Sequence, residues 1–220
     1  EMSCFIQHEG HSVNPKRQTG PHAHSLVFSP DQRFAFVPDL GIDRLMAYTP
    51  DFTSGQLTPA PVPFFAAMPG AGPRHCVFHP NGKVCYLINE LGSSISVLNY
   101  DAAKGAFSCV QTASSVQSPC TPDTNICACV KVTPDGRFLY GSNRGEDSLA
   151  VFAIGPDGTL TRVDSVPCGG KTPRDFDIDP TGRCLICGNQ DSDNITVFAI
   201  DGETGRLNPV FACDAPTPVC

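Results

Sequence analysis

The stretch that decides the fold runs from residue 72 to residue 90 and reads GPRHCVFHPNGKVCYLINE. An apolar strand leads into a Pro-Asn-Gly turn, which is typical of a tight connection between antiparallel strands, and a second apolar strand follows. The first predicted strand opens on Arg74 and His75, and the second closes on Asn89 and Glu90. The stretch is therefore a hairpin with charged side chains at the strand ends farthest from the turn.

The turn and second strand of this hairpin occur four times without gaps. The repeats share a marker proline, and these prolines are 50, 54 and 46 residues apart: Pro30, Pro80, Pro134 and Pro180. A polar turn and a predicted third strand follow each copy, at Arg44–Tyr48, Ser94–Leu98, Ser148–Ile154 and Asn194–Ile200; a glycine-bearing turn and a short fourth strand come next. Four strands in a repeat of this length indicate a β-propeller blade. A β-sandwich is the alternative, but it gives no reason for the turn chemistry to recur in register.

The predicted fold class is therefore all-β, a β-propeller of four-stranded antiparallel blades. We expect residues 1–220 to form one partial propeller, with blades over about 22–65, 72–116, 125–167 and 172–212. Residues 1–20, with a fourth strand at Cys4–Gln7, are expected to end a preceding blade, and residues 213–220 to start a following one. Open blade edges of this kind would allow self-association.

Composition excludes some partners. The net charge is −7 and no basic run interrupts the sequence, which argues against a nucleic-acid partner. No apolar stretch approaches the roughly 20 residues of a membrane helix, so no membrane partner is expected. Charged residues make up only 17% of the chain while Gly (20) and Pro (21) are abundant, which favours short strands joined by turns.

Comparing equivalent positions across the repeats sorts the polar residues into rows. In a propeller the first strands line a central channel, so their starts, and the ends of the second strands, are where ligand groups gather. The rows are His24, Arg74, Ala128 and Arg174; Ser25, His75, Cys129 and Asp175; Asp39, Asn89, Asn143 and Asn189; and Leu40, Glu90, Arg144 and Gln190. The Asp and Asn row is expected to cap turns. Arginines near a channel mouth predict a receptor for carboxylate or phosphate.

The twelve cysteines divide in the same way. Cys76, Cys184 and Cys187 align with apolar residues and are expected in the core, where a free cysteine acts as a small hydrophobe. This argues against zinc sites at the Cys127/Cys129 and Cys184/Cys187 pairs. Cys129 shares a row with His75 and Asp175 and is expected to face the channel, where a nucleophilic role would require an adjacent base.

Several motifs together resemble one known family: Pro21-His22-Ala23-His24-Ser25, Gly72-Pro73-Arg74-His75, Asn89-Glu90-Leu91, Ser142-Asn143-Arg144-Gly145 and Thr172-Pro173-Arg174-Asp175-Phe176, with Gln7-His8-Glu9-Gly10 and Asn14-Pro15-Lys16-Arg17-Gln18 near the start. The sequence resembles the seven-bladed lactonases, which include bacterial propeller-type 6-phosphogluconolactonases and the fungal 3-carboxy-cis,cis-muconate lactonising enzyme. The resemblance covers nearly the whole chain. It implies seven blades, about four of them present here, and a cytoplasmic enzyme of carbohydrate metabolism in the pentose phosphate pathway, with no metal or other cofactor.

The resemblance also implies site residues. The catalytic histidine falls on His24, with His22 beside it, the arginines on Arg74 and Arg144, and the glutamate on Glu90. The predicted substrate-binding residues are His22, His75, Arg174, Asp175 and Asp39. One departure lies at Cys127-Ala128-Cys129, where Cys129 occupies the place at which members of the family usually carry an acidic residue.

Three functional hypotheses follow. Hydrolysis of a small anionic lactone needs a base for water, a donor for the oxyanion and anchors for the substrate's charge. His24 or Glu90 would be the base, Arg144 or Arg74 the oxyanion donor, and Arg74 with Arg174 the phosphate anchor. The arginines oppose the raised pKa that Glu90 would need, so His24 is the better base. A muconate-type cyclase would use the same residues in reverse, and a propeller acting as a binding scaffold would use none of them catalytically.

Overall fold

In the computed structural model, which describes residues 4–218, four antiparallel sheets of four strands follow one another along the chain. Within each sheet the strands pair in chain order. Blade 1 consists of β1 (Val27–Phe28), β2 (Ala35–Asp39), β3 (Arg44–Asp51) and β4 (Gln56–Ala66); blade 2 of β5 (Pro73–Phe78), β6 (Val84–Asn89), β7 (Ser94–Asp101) and β8 (Ala106–Ser114); blade 3 of β9 (Ile126–Val132), β10 (Phe138–Arg144), β11 (Ser148–Ile154) and β12 (Leu160–Pro167); and blade 4 of β13 (Pro173–Ile178), β14 (Cys184–Asn189), β15 (Asn194–Ile200) and β16 (Leu207–Asp214).

The prediction of an all-β fold of four-stranded antiparallel blades is confirmed, and each third strand begins at the predicted residue. No strand forms over Cys4–Gln7 in the described structure, where no segment offers it a hydrogen-bonded ladder, so the fourth strand expected there stays a prediction. The assignment of residues 1–20 and 213–220 to neighbouring blades stays a prediction, and Val219 and Cys220 lie outside the described residues. No helix in the described chain is long and apolar enough to cross a membrane.

The hairpin turn between the first two strands of each blade has a shared backbone geometry. Gly82, Gly136 and Gly182 occupy the same turn position with φ of +71°, +75° and +71°. These are left-handed values that glycine adopts without steric cost. Blade 1 places Gln32 there, at φ +58°. The glycine of the repeat is therefore explained by the turn rather than by a ligand.

The hydrophobic core lies between the blades. One buried cluster joins blades 1 and 2, including Phe36 and Leu87; a second joins blades 2 and 3, including Ile88 and Leu139; a third joins blades 3 and 4, including Tyr140. Each blade thus buries one face against its neighbour, as in other repeat proteins in which stability is shared between adjacent units.

A second contact between blades is made at the turn that joins the third and fourth strands. Tyr86 Oη donates to the carbonyl oxygen of Gly158 at 2.9 Å, and Tyr140 Oη donates to that of Gly205 at 2.8 Å. A Cβ atom at Gly158 would lie 2.7 Å from a methyl of Val84 in the preceding blade. Gly105, Gly158 and Gly205 in these turns therefore admit side chains of the blade before them.

A β-bulge lies near the start of the first strand in blades 2, 3 and 4. In blade 2, Pro73 pairs with Asn89 but His75 pairs with Ile88, so Arg74 is an extra residue. Arg174 is extra in the same way in blade 4, and blade 3 sets two residues, Ala128 and Cys129, against one. Bulges redirect side chains, and here they fall on the rows of arginine, histidine, cysteine and aspartate that the sequence singled out.

Candidate active site at the inner ends of the blades

One buried carboxylate collects three arginines. Glu90 Oε1 lies 2.6 Å from Arg17 Nη2, while Glu90 Oε2 lies 2.8 Å from Arg144 Nη2 and 3.1 Å from Arg74 Nε. The side chains of Glu90 and Arg74 are 2% and 3% exposed, that of Arg144 is 10% exposed, and that of Arg17 is 41% exposed. The cluster is thus closed on the protein side and open to solvent through Arg17.

Backbone bonds fix the glutamate at the junction of blades 2 and 3. Glu90 follows β6, its N–H donates to the carbonyl of Gly72 at 2.6 Å, and its own carbonyl accepts from Cys127 N–H at 3.0 Å. Arg144 ends β10 and also donates from Nη2 to the Cys127 carbonyl at 2.7 Å. The ends of second strands and the bulge of β5 therefore bring the two arginines to the same carboxylate.

The charges in this cluster do not cancel. Three guanidinium groups face one carboxylate, which leaves an excess of two positive charges. Burial alone would raise the pKa of Glu90, but the charges of Arg144, Arg17 and Arg74 outweigh it and hold that pKa below its usual value. Burial, with the charge of Arg74 adding to it, lowers the pKa of Arg144 against the opposing pull of Glu90. Glu90 is therefore ionised at neutral pH.

Two buried donors in the cluster have no aligned acceptor. Arg74 Nε is close to Glu90 but not in hydrogen-bonding alignment, and Arg144 Nε has no acceptor at all among the described residues. Arg74 Nη1 is engaged, because it donates to the carbonyl of Ala128 at 2.7 Å. A buried N–H without an acceptor is unfavourable, so both groups would be stabilised by an additional acceptor oxygen.

The predicted histidines differ in setting. His24 is exposed and its Nδ1 lies 2.9 Å from the carbonyl of His22, which is also exposed. Crowding by neighbouring atoms lowers the pKa of His24, with Glu90 opposing and Arg74 adding to the shift. His75 is half-buried against Arg74; burial and the Arg74 charge lower its pKa to about 4. Ser25, the residue after His24, donates from Oγ to the carbonyl of Arg74 at 3.2 Å, so the chain at His24 runs next to the arginine cluster.

The remaining predicted residues separate into two places. Arg174 is half-buried, and its charge contributes to the lowered pKa of Arg144, after burial and the charge of Arg74. Asp175 approaches His75 and the thiol of Cys129, and candidate donor atoms of these three residues all lie within 4.8 Å of one another. Cys129 is fully buried, and the raised pKa of its thiol, caused by burial and then by the Asp175 charge, makes it a poor nucleophile.

Asp39 lies in a separate buried network on blade 1. Its Oδ2 is 2.6 Å from His8 Nδ1, and its Oδ1 accepts from the backbone N–H of His22 and of Gly41. Tyr48 Oη lies 2.8 Å from the other ring nitrogen of His8. Asp39 thus caps the short 3-10 helix Leu40–Ile42 and holds the strand segment before His24; its predicted substrate contact stays a prediction.

The asparagines of the same row do something other than cap turns. The side-chain N–H groups of Asn89 donate to Ser94 and Ser96, that of Asn143 donates to Ser148, and that of Asn189 donates to Thr196. Each asparagine therefore ties its second strand to its third. The prediction of turn caps is confirmed for the aspartate and wrong for Asn143 and Asn189, because the amide supplies donors that the third-strand hydroxyl oxygens accept.

Sequence comparison missed one member of the cluster, Arg17. It lies outside the repeats, so no row contains it, and the loop that carries it is folded by local bonds such as the Gln18 N–H to the Asn14 carbonyl at 2.8 Å. Gln18 is fully buried and donates to the Leu40 carbonyl at 2.8 Å, which anchors the loop on blade 1. Its one sequence signal is the short motif Asn14–Gln18.

Comparisons with known proteins agree with this architecture. The family described as "Lactonase, 7-bladed beta-propeller" matches residues 1–220. The chain is 40% identical over 207 residues to 6-phosphogluconolactonase of Bacillus subtilis (strain 168), which covers 93% of this chain and 58% of the relative. The solved periplasmic gluconolactonase of Pseudomonas aeruginosa superposes with a TM-score of 0.88 at 32% identity, over 97% of this chain and 60% of that one. A protein from Lactobacillus plantarum gives a TM-score of 0.91 at 37% identity, over 98% and 62%. The chain thus spans about three fifths of the length of these relatives.

Proposed function

The chain belongs to the seven-bladed β-propeller lactonase family, and from that premise we propose that its arginine cluster binds and hydrolyses the lactone of a sugar acid, with 6-phosphogluconolactone as the preferred substrate. The observation that carries the proposal is a cluster with excess positive charge in which the buried Nε–H groups of Arg74 and Arg144 have no aligned hydrogen-bond acceptor. Lactone hydrolysis develops negative charge on the former carbonyl oxygen, and fixed buried donors stabilise such charge most effectively.

His24 supplies the base in this proposal. Its lowered pKa keeps the imidazole neutral at pH 7, so a ring nitrogen is free to accept a proton from water as the water attacks the lactone carbonyl. The tetrahedral intermediate then collapses, the ring C–O bond breaks, and the proton passes from His24 to the leaving alkoxide. The products are the open-chain acid and a neutral histidine.

Glu90 acts through the arginines rather than on water. Both of its oxygens face guanidinium groups and its pKa is held low, so it is a weak base. It holds Arg74 and Arg144 at fixed positions, where their Nε–H groups lack an aligned hydrogen-bond acceptor. In this proposal Arg174 receives the substrate phosphate, because a guanidinium group matches phosphate geometry well.

The test uses the purified protein at its full natural length, with enzymatic rates corrected for spontaneous lactone hydrolysis. We expect His24→Ala to lower kcat by about 10²- to 10⁴-fold, the usual contribution of a general base. His11→Ala, which removes an exposed histidine from the leading segment, is the matched control and should keep the wild-type rate.

Arg174→Ala should raise KM for the phosphorylated lactone more than for gluconolactone.

Three outcomes would change the assignment. A wild-type rate in His24→Ala removes the histidine from the role of base. Turnover of carboxymuconate without lactone hydrolysis would identify a lactonising cyclase. Inactivity toward all three compounds in the correctly folded protein would leave a binding scaffold.

We also propose a cytoplasmic location and a small anionic lactone as the chief partner. The net charge of −7 fits neither nucleic acid nor an anionic membrane surface. The Pseudomonas relative is described as periplasmic, so cell fractionation with a cytoplasmic marker is the direct test. Sedimentation of the purified protein at several concentrations would test self-association through open blade edges.

A further inference from the structure

We propose that His75, Cys129 and Asp175 form a binding site for a divalent metal ion of the zinc class, next to the arginine cluster. One ring nitrogen, one thiol sulfur and one carboxylate oxygen from these residues lie within 4.8 Å of one another. In tetrahedral zinc sites the metal–ligand distances of about 2.0–2.3 Å place ligand atoms roughly 3.3–3.7 Å apart. Small side-chain adjustments would therefore bring the three donors around one ion.

The three donors come from equivalent points of a repeated scaffold. His75, Cys129 and Asp175 lie on β5, β9 and β13, the first strands of three consecutive blades, at or beside the bulges. The N–H of Cys129 donates to Ser142 Oγ at 3.0 Å, which fixes its backbone. Ligands held on adjacent strands are pre-arranged, so little conformational entropy is lost on binding.

The local charges are suited to a divalent ion. A thiolate and a carboxylate carry two negative charges, so together with a neutral imidazole they would balance a 2+ ion once the thiol proton is released to solvent. Of the two nearest cations, Lys131 Nζ lies 3.2 Å from Asp177, while Arg74 shares the single carboxylate of Glu90 with two other arginines. A neutral site in partly buried surroundings avoids the cost of burying net charge.

The contact between Arg74 and His75 leaves the imidazole able to bind. Arg74 Nη1 lies 3.0 Å from Nε2 and 3.5 Å from Nδ1 of the same ring. Because the two lone-pair directions diverge in the ring plane, an atom this close to both nitrogens lies along neither. A ring nitrogen therefore remains available, and the fourth metal position would be taken by water.

Cys129 makes this site particular to the chain. The resemblance to the lactonases implies an acidic residue at this position and no metal. With an acid in its place, the set would be one imidazole and two hard carboxylates; the thiol makes it a soft donor set that favours zinc over magnesium or calcium. The site stands independently of lactone hydrolysis.

The experiment titrates the chelator-treated, full-length protein with Co²⁺, a spectroscopic substitute for Zn²⁺. We expect a thiolate-to-cobalt absorption band that one equivalent of Zn²⁺ abolishes. Cys129→Ser should remove the band, while His75→Gln and Asp175→Asn should weaken Co²⁺ affinity at least tenfold. The matched control is Cys127→Ser, which alters a buried thiol two residues away on the same strand and should leave the band unchanged.

Circular dichroism and thermal melting confirm that each variant is folded before titration. Absence of a cobalt–thiolate band in the wild type would overturn the proposal. A band that persists in Cys129→Ser, or that is insensitive to both His75→Gln and Asp175→Asn, would also overturn it, because another thiol would then be the ligand. Cys129→Asp, which restores the acidic residue implied by the resemblance, provides a second variant that should bind Co²⁺ without the thiolate band.

Discussion

Blades 2 and 4 have the same bulge and the same arginine, yet their inner ends differ. In blade 2, Arg74 is 3% exposed and pairs with Glu90, which also attracts Arg17 and Arg144. In blade 4, Arg174 is half-buried, and the counterpart of Glu90 is Gln190, whose amide donates to the neighbouring Asp191 at 3.0 Å. The fold supplies equivalent positions in both blades, but only blade 2 has a carboxylate there, and the guanidinium groups cluster around that carboxylate, Glu90.

The substitution expected to have the largest effect is Glu90→Gln, which gives blade 2 the side chain that blade 4 carries at the equivalent position. Removing one partner of a buried ion pair leaves uncompensated buried charge and typically costs about 3–5 kcal/mol. We expect a loss of this order in the free energy of unfolding, measured by urea denaturation at pH 7. Glu9→Gln, at an exposed carboxylate, is the control and should change stability by less than about 0.5 kcal/mol. A loss below 1 kcal/mol in Glu90→Gln would show that the cluster does not need its carboxylate.

The wild type and Glu90→Gln should also differ in how their stability depends on pH under acidic conditions. The pKa of Glu90 is held below its usual value in the folded state, so its stabilisation is complete above the unfolded-state pKa of about 4.3. As the pH falls through the lower folded-state pKa, that stabilisation is lost because the unfolded chain binds the proton first. Urea denaturation from pH 6 to pH 3 should therefore show a shallower loss of stability in Glu90→Gln. Parallel curves for the two proteins would contradict the lowered pKa.

Arg17→Ala tests the exposed edge of the cluster. Since the Arg17 side chain is 41% exposed, solvent screens its attraction to Glu90, and we expect a loss of at most about 1 kcal/mol. The loss should shrink when the urea experiment is repeated at high salt, because exposed pairs are screened. A salt-independent loss of several kcal/mol would mean that Arg17 acts through packing. Lys16→Ala, which removes an exposed neighbouring cation, is the control.

The smallest effect is expected from Gln190→Glu, which gives blade 4 the carboxylate of blade 2. Position 190 is only half-buried, so the new charge should change unfolding stability by no more than about 0.5 kcal/mol. Urea denaturation beside the wild type measures it. A gain above 1.5 kcal/mol would indicate that a single carboxylate suffices to assemble a second cluster.

Repetition made most of the fold predictable, because the spacing of four turn motifs fixed the blade boundaries and the register placed Arg74, Arg144 and Glu90 in related rows. Arg17 was beyond that reasoning, since a residue outside the repeats has no counterpart to compare. The burial of individual side chains could not be predicted from the sequence either. Cys129 was expected to face the channel, yet it is fully buried, because the bulge in β9 changes the simple alternation of inward and outward side chains.

The glycine turns between third and fourth strands affect how a propeller chain can gain blades by gene duplication. Phe34, Val84 and Phe138 each approach a glycine of the following blade, namely Gly105, Gly158 and Gly205. Blades 2 and 3 thus each carry both halves of the contact, a large residue at one site and a glycine at the other. A gene duplication that copied one whole blade would bring both halves with it, and the copy would fit its parent without any new mutation at the joint.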